Sequence, residues 1–117
     1  MLFIEYPRCS TCKKARQFLV AHGFEFESRD IVLNTPSYEE LKQIYLQSGL
    51  PINKFFNSSG RDFRALGLLQ QFKTMSEDEI LHKLVENGLF IKRPILILDD
   101  GTVITGFHPS TWEKKVH

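Results

Sequence analysis

Residues 2–15 have the sequence LFIEYPRCSTCKKA, in which an apolar run is followed by two cysteines three positions apart. The apolar run is short and is closed by Pro7, which is typical of a β-strand. After the cysteines, apolar side chains recur at the spacing of one helix face until Gly23, a natural helix stop. The stretch therefore predicts a strand, a turn that bears the cysteines, and a helix capped by Ser10 or Thr11.

A second strand and two capped helices are predicted next. Residues 24–30 alternate apolar and polar side chains, which indicates a strand, and the intervening helix makes it parallel to the first. Ser37 with Glu40 and Ser76 with Glu79 have the spacing of capping boxes, so each pair is expected to begin a helix.

The end of the chain predicts a hairpin. After a short helix at 62–68, apolar runs at 95–98 and 103–105 flank a turn-rich tetrapeptide, and a last helix is expected around 110–115. Because we find no repeat, low-complexity tract or linker, residues 1–117 are predicted to form one domain. The order β-α-β, helical insertion, β-β-α predicts an α/β fold of the thioredoxin/glutaredoxin type, since a C-x-x-C pair near a βαβ unit favours that class.

Composition narrows the possible classes of protein. The chain has 117 residues, 42% of them hydrophobic and 25% charged, with a net charge of +1. No apolar run approaches the ~20 residues of a membrane span, and the first residues lack the pattern of a secretory signal. We therefore expect a cytoplasmic monomer that binds neither a membrane nor nucleic acid directly.

Cys9 and Cys12 are the only cysteines. A structural disulfide between them would close a very small loop and constrain the unfolded chain little, so redox chemistry explains the pair better. A cysteine at a helix N-terminus faces free backbone N–H groups and the positive end of the helix dipole, which lowers its pKa. We predict that Cys9 is the nucleophile and that Cys12, one helical turn on, resolves the intermediate.

Two other interpretations of the cysteines are weaker. A structural zinc site usually needs four ligands, whereas the chain has two cysteines and four histidines without paired zinc spacing, so no metal is predicted. The thiols could instead be buried and inert. Each histidine is most simply a surface or structural residue, His108 being the best candidate for an exception.

Basic residues surround the cysteines. Arg8 and Lys13 each adjoin a cysteine and are predicted, with Ser10 and Thr11, to contact an anionic or thiol substrate. Lys14 and Arg16 fit a solvated basic face equally well.

Several segments together resemble the arsenate reductase (ArsC)/Spx family over nearly the whole chain, most of all its small members often labelled arsenate reductase-like. The matching segments are YPRCSTCKKA at 6–15, PSYEEL at 36–41, FRALGL at 63–68, MSEDE at 75–79 and IKRPI at 91–95.

The resemblance implies roles for individual residues in a thioredoxin-superfamily fold with a helical insertion. Cys9 matches the nucleophile that attacks arsenate, and Arg93 matches an arginine that holds the oxyanion. Pro94 matches a cis-proline that shapes the substrate groove, although a proline here also suits simple strand entry. Two further oxyanion arginines of the family are replaced, one by Asn57 and one near Gly106.

Three functions are implied. The favoured one is a thiol–disulfide oxidoreductase, acting for example on a glutathione mixed disulfide, with no bound cofactor and with glutathione, glutaredoxin or thioredoxin as electron donor. Arsenate reduction is the second. The third is an Spx-like redox-sensing regulator that binds the RNA polymerase α subunit, although the glycine of the polymerase contact is replaced by Pro51.

Overall fold

The computed structural model describes residues 1–117 and contains one four-stranded sheet. Its strands are β1 (Leu2–Glu5), β2 (Glu27–Asp30), β3 (Ile95–Ile97) and β4 (Val103–Thr105), in the order β2-β1-β3-β4. Strand β1 is parallel to β2 and antiparallel to β3, and β3 is antiparallel to β4. The predicted βαβ unit and C-terminal hairpin are therefore confirmed.

Six helices connect and cover the strands. They are α1 (Ser10–Ala21), α2 (Tyr38–Ser48), α3 (Arg61–Ala65), α4 (Leu68–Phe72), α5 (Glu77–Leu84) and α6 (Pro109–Lys115), with 3₁₀ turns at Ile52–Lys54 and Gly88–Phe90. Helices α2 to α5 form the predicted insertion between the two halves of the sheet. No helix combines the length and the apolar character needed to cross a bilayer.

The sheet has an apolar cluster on each face because side chains alternate along each strand. On β1, Phe3 joins Leu96, Trp112 and neighbouring side chains in the cluster that α1 and α6 cover. Ile4 joins the larger cluster, which the inserted helices cover. The β1–α1 junction, where the cysteines lie, follows directly from a strand that contributes to both clusters.

Both predicted capping boxes are confirmed. The Ser37 hydroxyl accepts a hydrogen bond from the Glu40 N–H at 3.1 Å, and the Glu40 carboxylate accepts one from the Ser37 N–H at 3.0 Å. Ser76 and Glu79 make the same reciprocal pair, with both distances 3.1 Å.

Three local predictions were wrong. Cys9 itself, rather than Ser10 or Thr11, is the N-cap residue of α1, and no side chain caps this helix. Strand β2 begins at Glu27 instead of residue 24, because the preceding residues close the helix end: the N–H of Phe24 bonds the carbonyl of Leu19 at 3.0 Å. The single helix predicted at 62–68 is two short helices separated by Leu66 and Gly67, the latter with a φ of 65°.

Candidate active site

The two cysteines lie where the chain passes from β1 into α1. Cys9 has an extended backbone, its N–H donates to the Tyr6 carbonyl at 2.9 Å, and its carbonyl accepts the N–H of Lys13 at 3.0 Å. Cys12 is fully buried one turn into the helix, and the Tyr6 N–H donates to its Sγ at 3.5 Å. Both are free thiols, and Cys9 is only partly buried, so the two thiols are not both sealed in the interior.

The surroundings separate the acidities of the two thiols. Burial alone would raise the pKa of Cys9, but hydrogen bonds from the Cys12 N–H and thiol outweigh it. The Thr11 N–H and the charge of Arg93 act in the same direction, so the pKa of Cys9 lies below its ordinary value. Burial raises the pKa of Cys12 to about 12, and the neighbouring Cys9 sulfur adds to this effect. The more exposed thiol is therefore the more acidic one.

Cys9 opens into a cleft of about 340 Å³. The wall comes from four parts of the chain: the first turn of α1, the loop before α3, the segment before β3 and the segment after β4. The lining residues are Cys9, Thr11, Asn57, Ser59, Gly60, Lys92, Arg93, Gly106, Phe107 and His108.

Arg93 lies in this cleft, as predicted, and is held from two sides. Its Nη1 donates to the Leu89 carbonyl at 3.1 Å, and its guanidinium lies 5.4 Å from the centre of the Tyr6 ring. Its buried Nε has no hydrogen-bond partner in the protein. This geometry leaves donor capacity on a permanent cation beside Cys9.

The peptide bond between Arg93 and Pro94 is cis, as the resemblance implies. Pro94 is buried, and its carbonyl accepts the N–H of Gly106 at 2.8 Å. Pro94 thus supports the cleft from behind instead of lining it.

Several predicted substrate contacts lie outside the cleft. Thr11 lines it, whereas Arg8, Ser10 and Lys13 are exposed and do not. Arg8 instead borders a separate depression beside Leu33.

The remaining two basic residues of α1 differ in environment. Lys14 is exposed. Arg16 forms an ion pair with the buried carboxylate of Glu5, donates to Ser28 at 2.8 Å, and packs over the rings of Phe3 and Phe26. Its charge is therefore used within the fold and not at the cysteines.

Four residues of the cleft wall, Lys92, Ser59, Gly60 and Phe107, were not predicted from the sequence. Lys92 could have been found, because it lies inside the matching segment at 91–95 and directly precedes Arg93. Ser59 and Gly60 carry no such signal, since only the path of the loop brings them to Cys9.

Asn57 and Gly106, the two positions where the resemblance implies arginines, both line the cleft. Gly106 has a φ of 73°, and a Cβ added there would lie 3.1 Å from the Lys92 Cε and 3.8 Å from the His108 Nε2. The buried Trp112 donates to the Gly106 carbonyl at 3.1 Å and fixes this backbone. A side chain at 106 would therefore need a left-handed backbone that L-residues rarely adopt, and its Cβ would crowd the end of Lys92.

No three Cys, His, Asp or Glu side chains come together in an arrangement suited to a metal ion. The cleft lining presents the thiol of Cys9, the cationic side chains of Lys92 and Arg93, and the imidazole of His108.

Several known proteins are similar to this chain in sequence. A sequence profile described as the ArsC family matches residues 4–115. YusI, an uncharacterized protein of Bacillus subtilis, is 44% identical over 98% of this chain and 97% of its own length. MgsR, a regulatory protein of Bacillus subtilis, is 32% identical over 100% of this chain and 94% of its own. The global transcriptional regulator Spx of Lactococcus lactis is 28% identical over 87% of this chain and 75% of its own length.

Solved structures agree with the fold. A putative ArsC family related protein from Bacteroides fragilis superposes with a TM-score of 0.90 at 43% identity, covering 97% of this chain and 94% of that one. A possible arsenate reductase from Streptococcus mutans gives a TM-score of 0.82 at 37% identity, with coverage of 92% and 90%.

Proposed function

Because the chain belongs to the ArsC family, whose known relatives include both arsenate reductase-like proteins and regulators, we propose that it is a thiol–disulfide oxidoreductase. Cys9 is the nucleophile and Cys12 the resolving thiol. The observation that carries the proposal is geometric: Cys9 precedes the first turn of α1 and lines the cleft beside Arg93, while Cys12 is buried one turn further on. Hydrogen bonds and the charge of Arg93 lower the pKa of Cys9, and burial raises the pKa of Cys12.

The reaction balances with this pair alone and a disulfide substrate. The Cys9 thiolate attacks one sulfur of the substrate, forming a mixed disulfide and releasing the other sulfur as a thiolate, which takes up a proton. Cys12 then loses its proton and attacks the Cys9 sulfur, releasing the second substrate thiol. The substrate gains two electrons, and Cys9 and Cys12 become a disulfide.

An external dithiol or two monothiols must then reduce the Cys9–Cys12 disulfide. Glutathione, glutaredoxin and thioredoxin are the donors of the required chemical class in a cytoplasmic setting, and we propose that one of them supplies the electrons.

Disulfides, including glutathione mixed disulfides, suit the cleft better than arsenate does. A small dianionic oxyanion is held best by several bidentate arginines, and of the three family positions only Arg93 has one here. Asn57 offers a neutral amide, and Gly106 has no side chain. Arsenate-dependent NADPH oxidation in an assay coupled through glutaredoxin or thioredoxin tests this ranking, and a rate above that for disulfides would reverse it.

Trapping tests the assigned roles. The reduced Cys12→Ser variant, incubated with a disulfide substrate, should accumulate a stable mixed disulfide at Cys9, located by mass spectrometry of the peptide that contains both positions. Cys9→Ser is the matched control. It should form no mixed disulfide over the period in which the Cys12→Ser variant accumulates one. Trapping at Cys12 in the control, faster than at Cys9, would contradict the assignment.

A second candidate is a redox-sensing regulator that binds the RNA polymerase α subunit. It is supported by the full-length match to MgsR and the partial match to Spx. The residue at the family's polymerase contact, Pro51, is exposed at the start of the 3₁₀ turn Ile52–Lys54.

This candidate is tested by measuring how the oxidised and the reduced chain bind the isolated C-terminal domain of polymerase α. Equal failure of both forms to bind, at concentrations where Spx binds, would dismiss it.

A further inference from the structure

Tyr6 directly follows β1 and contacts both cysteines through its backbone, although it does not line the Cys9 cleft. Its N–H donates to the Cys12 Sγ at 3.5 Å, and its carbonyl accepts the N–H of Cys9 at 2.9 Å. Any residue except proline has the backbone groups for both contacts. Neither contact therefore explains the aromatic side chain.

The face of the Tyr6 ring is turned to Arg93. The central carbon of the guanidinium lies 5.4 Å from the ring centre, which is within the range of a cation–π interaction. Arg93 has few other restraints: Nη1 donates to the Leu89 carbonyl at 3.1 Å, the buried Nε has no partner, and no carboxylate forms an ion pair with this arginine. One hydrogen bond and the Tyr6 ring thus hold the guanidinium in place.

Arg93 borders two depressions of opposite character. The Cys9 cleft has no carboxylate in its lining. The other depression, of about 290 Å³, is lined by Tyr6 and Arg93 together with the exposed Asp62. Because opposite charges attract through space, a guanidinium that lost the contact with the ring would divide its time between the Asp62 carboxylate and the Cys9 thiolate.

We propose that Tyr6 is a positioning residue, whose ring holds the Arg93 guanidinium at the Cys9 cleft so that the cation acts on the Cys9 sulfur and on anionic groups that approach it. The inference rests on the proposed function, since it concerns the same nucleophile, and it adds to the site a side chain that lies outside the cleft. The charge of Arg93 is one of the causes of the lowered pKa of Cys9, in agreement with this arrangement.

The test uses the Cys12→Ser chain, in which only Cys9 can react, and two alkylating reagents of similar size. Iodoacetate is anionic and iodoacetamide is neutral, and in both reactions the Cys9 thiolate forms a carbon–sulfur bond and releases iodide. The measured quantity is the ratio of the iodoacetate rate to the iodoacetamide rate. A change in the exposure or in the thiolate fraction of Cys9 affects both reagents and cancels in this ratio, whereas a change in the position of the Arg93 charge does not.

Four substitutions are compared in this chain. Tyr6→Leu removes the ring and keeps an apolar side chain, and Tyr6→Phe keeps the ring. Arg93→Gln removes the cation. Tyr45→Leu is the matched control, because Tyr45 is likewise a partly buried tyrosine packed against the larger apolar cluster but lines neither depression. Should Tyr6→Leu fail to fold, Tyr6→Met takes its place.

Arg93→Gln should lower the rate ratio by about fivefold, the upper range for an exposed ion pair. Tyr6→Leu should lower it by about two- to fivefold, the range of an exposed cation–π contact. Tyr6→Phe and Tyr45→Leu should leave the ratio unchanged. In the Arg93→Gln background Tyr6→Leu should have no further effect, because the ring acts only through the guanidinium.

Four results would overturn the inference: an unchanged ratio in Tyr6→Leu, an equal loss in Tyr6→Phe, an equal loss in Tyr45→Leu, and a further loss when Tyr6→Leu is added to Arg93→Gln. A different result bears on the proposed function. If Cys9 of the folded Cys12→Ser chain reacts with iodoacetamide at neutral pH no faster than in the unfolded chain, the activated nucleophile itself is refuted, so the two failures are distinguishable.

Discussion

Alkylation of single-cysteine variants should separate the two thiols sharply. In the Cys9→Ser variant only Cys12 can react, and in Cys12→Ser only Cys9 can. Burial, the largest cause of the raised pKa of Cys12, does not depend on Cys9 and so persists in the Cys9→Ser variant. We therefore expect Cys9 to react with iodoacetamide at neutral pH and Cys12 to be nearly inert.

The expected ratio follows from the pKa values. A pKa of about 12 in place of 9.0 lowers the thiolate fraction of Cys12 by about a thousandfold. A thiolate of higher pKa is intrinsically more nucleophilic, with a Brønsted slope of about 0.4–0.5, which reduces the difference to about 30- to 60-fold. The lowered pKa of Cys9 widens the ratio at neutral pH, so 30-fold is a lower expectation.

The assay follows the mass of each variant with time over a range of pH, and the same variants unfolded in concentrated guanidinium serve as the control. The unfolded variants should react alike. In the folded chain the Cys9 rate should reach half its maximum below pH 9.0, its ordinary pKa. A Cys12 rate within fivefold of the Cys9 rate, or a Cys9 midpoint at or above its unfolded value, would refute the division of roles.

Three further predictions concern the scaffold. Gly88→Ala should lower the free energy of unfolding in urea by about 3 kcal/mol, because its Cβ would lie 2.1 Å from the Ile31 carbonyl oxygen; a loss below 1 kcal/mol would contradict this. Ser76→Ala should cost about 1 kcal/mol in the same assay through loss of its capping box, and an unchanged midpoint would show that the cap is unimportant. The hydrogen bond from Arg29 lowers the pKa of Glu40 to about 2. The stabilisation that this pair gives the fold is therefore present above pH 4.5 and is lost as the pH falls toward 2. In an NMR titration, Arg29→Gln should return the pKa of Glu40 toward 4.5, and an unchanged pKa would be evidence against the pair.

Local sequence patterns predicted where most helices and strands lie. The capping boxes at Ser37 and Ser76 depend on residues three positions apart, so sequence spacing alone specifies them. The break at Gly67 was not predicted, because the apolar spacing around it, with Phe63 and Leu68 both buried, fits one helix as well as two. The left-handed backbone of Gly67, directly after the end of α3, separates the two helices.

The candidate site was predicted in part. Cys9 and Arg93 are 84 positions apart in the sequence, and only the family resemblance suggested that they meet. Arg8 and Lys13 adjoin the cysteines in sequence yet lie outside the cleft. Arg8 lies in the turn before α1, and Lys13 lies on an exposed face of that helix, because successive helical residues point to different faces. Adjacency in the chain was therefore a poor guide to adjacency at the site.

The sequence by itself determined the chemistry available: two thiols one helical turn apart at the start of a helix, on a β-α-β unit, because these features depend on contacts between residues close in the chain. Only the tertiary structure decided how deeply Cys12 is buried and which distant residues surround Cys9. Burial of Cys12 and the approach of Lys92 and Arg93 to Cys9 arise when β3, β4 and the inserted loop close around the β1–α1 junction. Desolvation and Coulomb interactions act through space, so their strength is set by the folded arrangement and not by position along the chain.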